Sequence, residues 1–203
     1  MNNNLEKVLT AIDEINRQDT NVTIVNDTEH PKELLYGQRM TACLMQHWPK
    51  ASELLQIAVR AQHIKRWHLK RTEFAQGKAG YYQWRIALGK FHAELTANIM
   101  REQGYNDEQA KQTASIICKE NLKDKASSQL NKDSQTLEDV ACLVFLEHYF
   151  DAFADNYLKQ DNEAKIIRIV QLTWKKMSEE AHNIALQMSM PSHLADLVNK
   201  ALA

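Results

Sequence analysis

Glycine and proline are scarce here: 5 and 3 in 203 residues. A β-sandwich or barrel needs many tight turns, so this scarcity excludes one and points to long helices with short connections. Cys43, Cys118 and Cys142 are odd in number and lack a CxxC spacing, so neither a disulfide framework nor a zinc ribbon is expected. Cys142 sits in an apolar run and reads as a small buried hydrophobe. No apolar stretch approaches the roughly 20 residues that span a bilayer. The start, MNNNLEKVLTAIDEINRQ, is polar and acidic with no apolar signal core, which gives the expectation of a cytoplasmic protein. A Gly-rich phosphate loop, HExxH, a nucleophile elbow and an EF-hand loop are all missing, so dinucleotide binding, P-loop chemistry and serine-hydrolase chemistry are not expected. Net charge is −1 and the pI about 6.7, so no global field draws the chain to nucleic acid or an anionic membrane. Neither is an expected partner, and any anion must be held by a local patch.

What is present is a 44 % apolar, 25 % charged composition, enough for one globular core. Leu5, Val8, Leu9, Ile12 and Ile15 recur at helical spacing. Pro31 suits the first turn of a second helix that ends before Pro49. Ser52 to Trp67 reads as a third, and Tyr81 to about Gln103 as a long fourth closed by Gly104. Asn106 or Asp107 caps a fifth. Thr136 and Asp139 look like a capping box opening VACLVFLEHYFDAFADNYL, the most apolar helix. Glu163 to Met177, Glu179 to Gln187 and Ser192 to Leu202 complete the set. Gln18 to Glu29, Lys70 to Ala79 and Lys119 to Ser134 read as loops, and no strand pattern is found. The expectation is an all-α, single globular domain from Met1 to Ala203, with about eight to nine helices.

The stretch AVRAQHIKRW draws attention because an apolar helix face runs into Arg60, His63, Lys65, Arg66 and Trp67. Those cations suit a phosphate or carboxylate, although a hydrogen-bonded His at a helix C-terminus reads equally well. His92 and Glu94 lie mid-helix, with His92 between apolar neighbours. Asp139 is either a site carboxylate or a capping residue. Glu147 interrupts an apolar helix, where a carboxylate is costly unless it is paired or ligating. Trp67, Trp84 and Arg85 could stack on or bind a planar anion, or simply pack.

The segments YGQRMTACL, AVRAQHIKRW, KFHAELTANIMREQGY and TLEDVACLVFLEHYF follow the helix order of the HD superfamily of metal-dependent phosphohydrolases. The chain resembles that family from about Glu33 to Ala154, with helices from Glu163 to Ala203 packed on this HD-like core. The family's first His falls at Tyr36 and its His-Asp pair at Gln62 and His63, whereas His92 and Asp139 match in type. The resemblance implies a divalent ion (Mn, Fe, Zn or Ni) on His63, His92 and Asp139, with Glu94 or Glu147 as general base. Arg39, Arg60, Arg66 and Arg85 would then recognise a phosphate-bearing small molecule or nucleotide. The missing pair favours a second expectation, a non-catalytic binding or interaction domain in which Arg66, Trp67, Trp84 and Arg85 hold a small anionic ligand or a partner. A buried polar network fixing helix register is the third. Met40, Met45, Trp174 and the C-terminal helix are either a homodimer face or core. RMT, RAQHIKRW, YYQWR, FHAE, LEDVACLVFLEHYF and TWKKMS also resemble, almost end to end, a family known as domain of unknown function 4202, a likeness that implies no activity.

Overall fold

The computed structural model describes residues 3–120, 122 and 128–202. Those residues form ten α-helices, two single-turn 3-10 helices and one β-hairpin. The mainly α expectation holds, and among the described residues no helix is long and apolar enough to cross a membrane. Two compact units divide the chain, Met1–Leu137 and Glu138–Ala203.

In the first unit, α1 (Asn3–Asn16) buries Leu5, Val8 and Ile12 along one stripe. A hairpin replaces the expected loop: β1 (Val22–Val25) pairs antiparallel with β2 (Thr28–Pro31). Asn26 and Asp27 make its turn at φ 50° and 59°, a conformation these two residues tolerate and two-residue hairpin loops require. Next come α2 (Lys32–His47) and α3 (Glu53–Ala61). Ser52 caps α3, its Oγ accepting from Leu55 N at 3.2 Å. Gly37 allows the two helices to close up, since a Cβ there would lie 2.9 Å from the Arg60 carbonyl.

The third helix ends six residues earlier than its apolar pattern suggests. Two side chains of α1 set this end. Asp13 takes Arg60 in a bidentate pair (both 2.7 Å), and buried Asn16 accepts the Lys65 N–H at 2.9 Å. Lys65 turns left-handed at φ 50°, which redirects the chain after His63.

Two long elements then face that turn. α4 (Gly77–Glu102) starts four residues before Tyr81. Gly80 lies inside it because the Ala75 carbonyl comes too close for any Cβ. Its end is a Schellman motif, with Gly104 at φ 90° and Tyr105 N donating to Met100 O. α5 (Asp107–Cys118) opens on the Asn106–Gln109 capping box, packs along α4, and stops at left-handed Lys119.

α6 (Gln129–His148) starts earlier than Thr136, so Thr136 is no cap: its Oγ1 donates to the Lys132 carbonyl one turn back. The part of the expected 119–134 loop from Gln129 onward is therefore helical; 121 and 123–127 lie outside the described residues. The apolar run after Asp139 is two helices, because the backbone breaks at Tyr149 (φ −127°, ψ −15°) before α7 (Phe150–Leu158). α8 (Glu163–Trp174), α9 (Glu179–Leu186) and α10 (Ser192–Leu202) complete the second unit.

Candidate functional site

Three elements of the first unit border a cavity of about 310 Å³. The turn after α3 supplies Gln62, His63 and Arg66. One face of α4 supplies Tyr81, Arg85, Leu88, Gly89 and His92, whose spacings of three, four and one residues keep them aligned. The end of α5 adds Ile117, Cys118 and Lys119.

His63 is held on three sides. The Tyr36 ring stacks on it at 4.1 Å and 14°, and Tyr36 Oη donates to Gln62 Oε1 at 3.2 Å. Arg66 Nη1 lies 3.0 Å from Nε2 and 3.2 Å from Nδ1, nearly equidistant, so the guanidinium covers the other ring face. Glu33 Oε2 lies 3.2 Å from Nδ1. Burial pushes the His63 pKa well below 6.5, and Arg66, Lys119, Arg85 and Lys32 push it the same way. His63 is therefore neutral near pH 7, with an ionised Glu33 favouring the tautomer protonated at Nδ1. Burial raises the Glu33 carboxyl against the opposing pull of Arg66, Lys32 and His92. Asp19 Oδ2 accepts the Glu33 N–H at 3.2 Å and so anchors that end of α2.

His92 is 3 % exposed, its ring centre 6.2 Å from that of His63. Burial and His63 together lower its pKa to about 3, although its hydrogen bond to the Ile64 backbone works in the other direction. Its Nδ1 has no hydrogen-bond partner among the described residues. A buried neutral imidazole that donates from one nitrogen offers the other as an acceptor, and leaving that acceptor unmet costs stability.

The cations differ in what holds them. Arg60 is committed to Asp13. Arg66 lies 5.3 Å from the Trp84 ring centre, and Trp84 Nε1 donates to the Leu69 carbonyl at 3.0 Å, which fixes the indole as a platform. Neither Arg66 nor Arg85 has a carboxylate partner among the described residues. Arg39 is half-buried on α2, Trp67 half-buried in the 3-10 turn Arg66–His68, and neither lines the cavity. Glu94 is exposed on α4 and also lies outside the lining.

Asp139 belongs to the second unit, where both its oxygens are used. Oδ1 accepts the Ser178 N–H at 2.8 Å and Oδ2 the Ser178 hydroxyl at 2.6 Å, tying α6 to the start of α9. Asp139 caps no helix start of its own. Glu147 is exposed beside His148 at 3.6 Å, so the burial cost expected for a carboxylate in that apolar run does not arise. Among the described residues, one group of three potential ligands gathers within 4.8 Å: Asp151, Asp155 and His193, all exposed. His193 Nε2 already pairs with Asp151 there at 3.0 Å.

Glu33, Gln62, Cys118 and Lys119 escape sequence reasoning. Glu33 looks like an ordinary acid in a first helical turn. The repeat Tyr81, Arg85, Leu88, Gly89, His92 is the one signal that places four of the cavity residues on a single face with an apolar neighbour.

Neither the curated proteins nor the solved structures give a match to this chain. The match to a protein family runs over residues 6–198, nearly its whole length, and the chain belongs to that family, the domain of unknown function DUF4202.

Proposed function

We propose that the first unit binds a small phosphate-bearing molecule in the cavity between the end of α3, α4 and α5. The observation that carries this reading is the pair Arg66 and Arg85, two guanidinium groups without carboxylate partners among the described residues, beside Lys119 at one cavity. Buried or part-buried cations raise the local potential, and a planar guanidinium meets a phosphate through two parallel N–H bonds. The same cations act on His63: burial is the main cause of its depressed pKa, and Arg66, Lys119, Arg85 and Lys32 add to it. Neutral His63 and His92 add uncharged polar contacts without further repulsion. His92 Nδ1 is an acceptor, so the ligand atom it meets must carry a proton, as a phosphate monoanion or a ligand hydroxyl does. Binding of inorganic phosphate by the wild-type chain, weakened at least tenfold in Arg85→Ala, supports the reading; equal affinity in the two contradicts it.

A second reading follows the HD-like order of the helices: a metal-dependent hydrolase acting on a phosphate-bearing small molecule or nucleotide. Its support is that His63 and His92 are both neutral, the state in which imidazole ligates a divalent ion. The described residues of the first unit bring no three His, Cys, Asp or Glu ligand atoms within 4.8 Å of one another, so His63 and His92 would need a ligand from outside that group to hold an ion. Elemental analysis of protein purified without chelator or affinity metal decides. Near-stoichiometric Mn, Fe, Zn or Ni that is lost in His92→Ala establishes this reading, and metal content unaffected by that change removes it.

A further inference from the structure

A second cavity of about 560 Å³ adjoins the first, and Arg85, Gly89 and Cys118 line both. The two differ in character. The first is ringed by cations and imidazoles; the second adds Tyr82 and Ile86, 53 % and 60 % exposed and one helical turn apart, with Lys90 and Glu120 as its further charged residues. An isolated tyrosine or isoleucine on a surface needs no explanation, but the two together flank a chamber that opens onto the proposed anion site.

Gly89 is the residue to explain. It sits in the middle of α4, where glycine is the least favoured residue after proline. Its φ is not in the left-handed region, and a Cβ placed on it would meet nothing within 4 Å among the described residues. Neither backbone geometry nor helix packing therefore calls for glycine. Gly37 and Gly80 are different, because each faces a carbonyl that leaves no room for a Cβ. What a side chain at position 89 would occupy is the open space at the junction of the two cavities. The Cys118 thiol lies against the same stretch of α4, donating to the Gly89 carbonyl at 3.6 Å, so both residues border the junction from one side.

From this arrangement we infer that the two cavities form one site, which takes an organic monophosphate: the phosphate lies at Arg66 and Arg85, and an aromatic body passes over Gly89 onto Tyr82 and Ile86. This rests on the phosphate-binding reading above and extends it to a ligand class. Each chamber falls in the size range of small-molecule sites, and Arg85 borders both, where a phosphate ester joins its two parts. A flat ring suits an exposed tyrosine face beside a branched aliphatic chain better than a flexible chain does.

The test compares inorganic phosphate, 1-naphthyl phosphate and hexyl phosphate by isothermal titration calorimetry on the full chain and on Gly89→Ala and Gly89→Leu. In the wild type, naphthyl phosphate should bind at least tenfold more tightly than phosphate and at least threefold more tightly than hexyl phosphate. The ratio of naphthyl phosphate to phosphate affinity should shrink in Gly89→Ala and fall to about one in Gly89→Leu, while both melting temperatures stay at or above the wild-type value, because any side chain helps the helix. A wild-type ratio near one, or a ratio unchanged in Gly89→Leu, overturns the inference while leaving the phosphate site standing. Hexyl phosphate matching naphthyl phosphate overturns the aromatic assignment, and failure of all three to bind overturns both readings.

Discussion

Asp139 and His92 are both about 3 % exposed and both polar, and the two units of the chain treat them differently. In the second unit, Asp139 receives two hydrogen bonds from Ser178 and holds the start of α9. His182 stacks on Trp174 at 3.9 Å and bonds its carbonyl, and Lys200 pairs with Glu163. In the first unit, His92 keeps a nitrogen without a partner, and two arginines line a cavity with no carboxylate partner among the described residues. Satisfied polar groups build structure, whereas unsatisfied ones beside a cavity are what a ligand would complete. The contrast gives Asp139 a structural partnership and, under the proposed reading, leaves His92 to a ligand, although in sequence the two look like equal members of one set.

The largest effect that could break this contrast comes from Asp139→Ala. Removing the carboxylate strands the Ser178 N–H and hydroxyl, and about 3 kcal/mol of stability should be lost in urea titrations. Phosphate affinity of the folded protein should be unchanged. A loss below about 1 kcal/mol would take away the structural role.

Next in size is the pH response of the first unit. His92 has a folded pKa of about 3 against 6.5 unfolded, so between those values the unfolded chain binds the extra proton. Stability from this group is therefore full above pH 6.5 and lost as pH falls, by about 2–3 kcal/mol between pH 7 and pH 4.5. His63, also lowered, adds in the same direction; Glu33, raised, works against both. His92→Gln should flatten the curve of unfolding free energy against pH. A variant as steep as the wild type would contradict the assignment.

Smaller still is Asn16→Ala, which removes the acceptor for Lys65 N–H at the turn carrying His63. The expected cost is about 1–2 kcal/mol, together with weaker phosphate binding, because the turn aims Arg66. Unaltered binding would detach the turn from the site. The smallest effects belong to Glu94→Gln and Glu147→Gln, which should each stay within about 0.5 kcal/mol and leave phosphate affinity alone, since both side chains are exposed. A tenfold change in affinity for either would reinstate it as a site residue.

The parts of this fold that could be read from sequence are those written locally. Gly104 and Asn106 announce a helix end and a helix start, and Ser192 to Leu202 carries its own periodicity. The hairpin was readable in principle from VTIV followed by Asn-Asp. Yet Val22 and Ile24 are 51 % and 68 % exposed, so alternation of apolar and polar residues never identified a buried face. Helix α3 stops at Ala61 because Asp13 and Asn16 hold its end, and those residues lie more than forty positions away. The site follows the same rule. Arg60 and Arg66 are indistinguishable one turn and a half apart in AVRAQHIKRW; only the fold gives the first a carboxylate and leaves the second at a cavity. Glu33 meets His63 across thirty positions, and Ser178 meets Asp139 across thirty-nine, so neither partnership can be seen in local patterning.

The most direct test of the central claim is calorimetric titration of inorganic phosphate into the wild-type chain and into Arg66→Ala/Arg85→Ala at low ionic strength. Two charge-assisted contacts of about 1.5 kcal/mol or more each predict an affinity loss on the order of a hundredfold in the double variant. Undiminished phosphate binding in a folded double variant, or no binding by the wild type, would contradict the assignment of this cavity as an anion site.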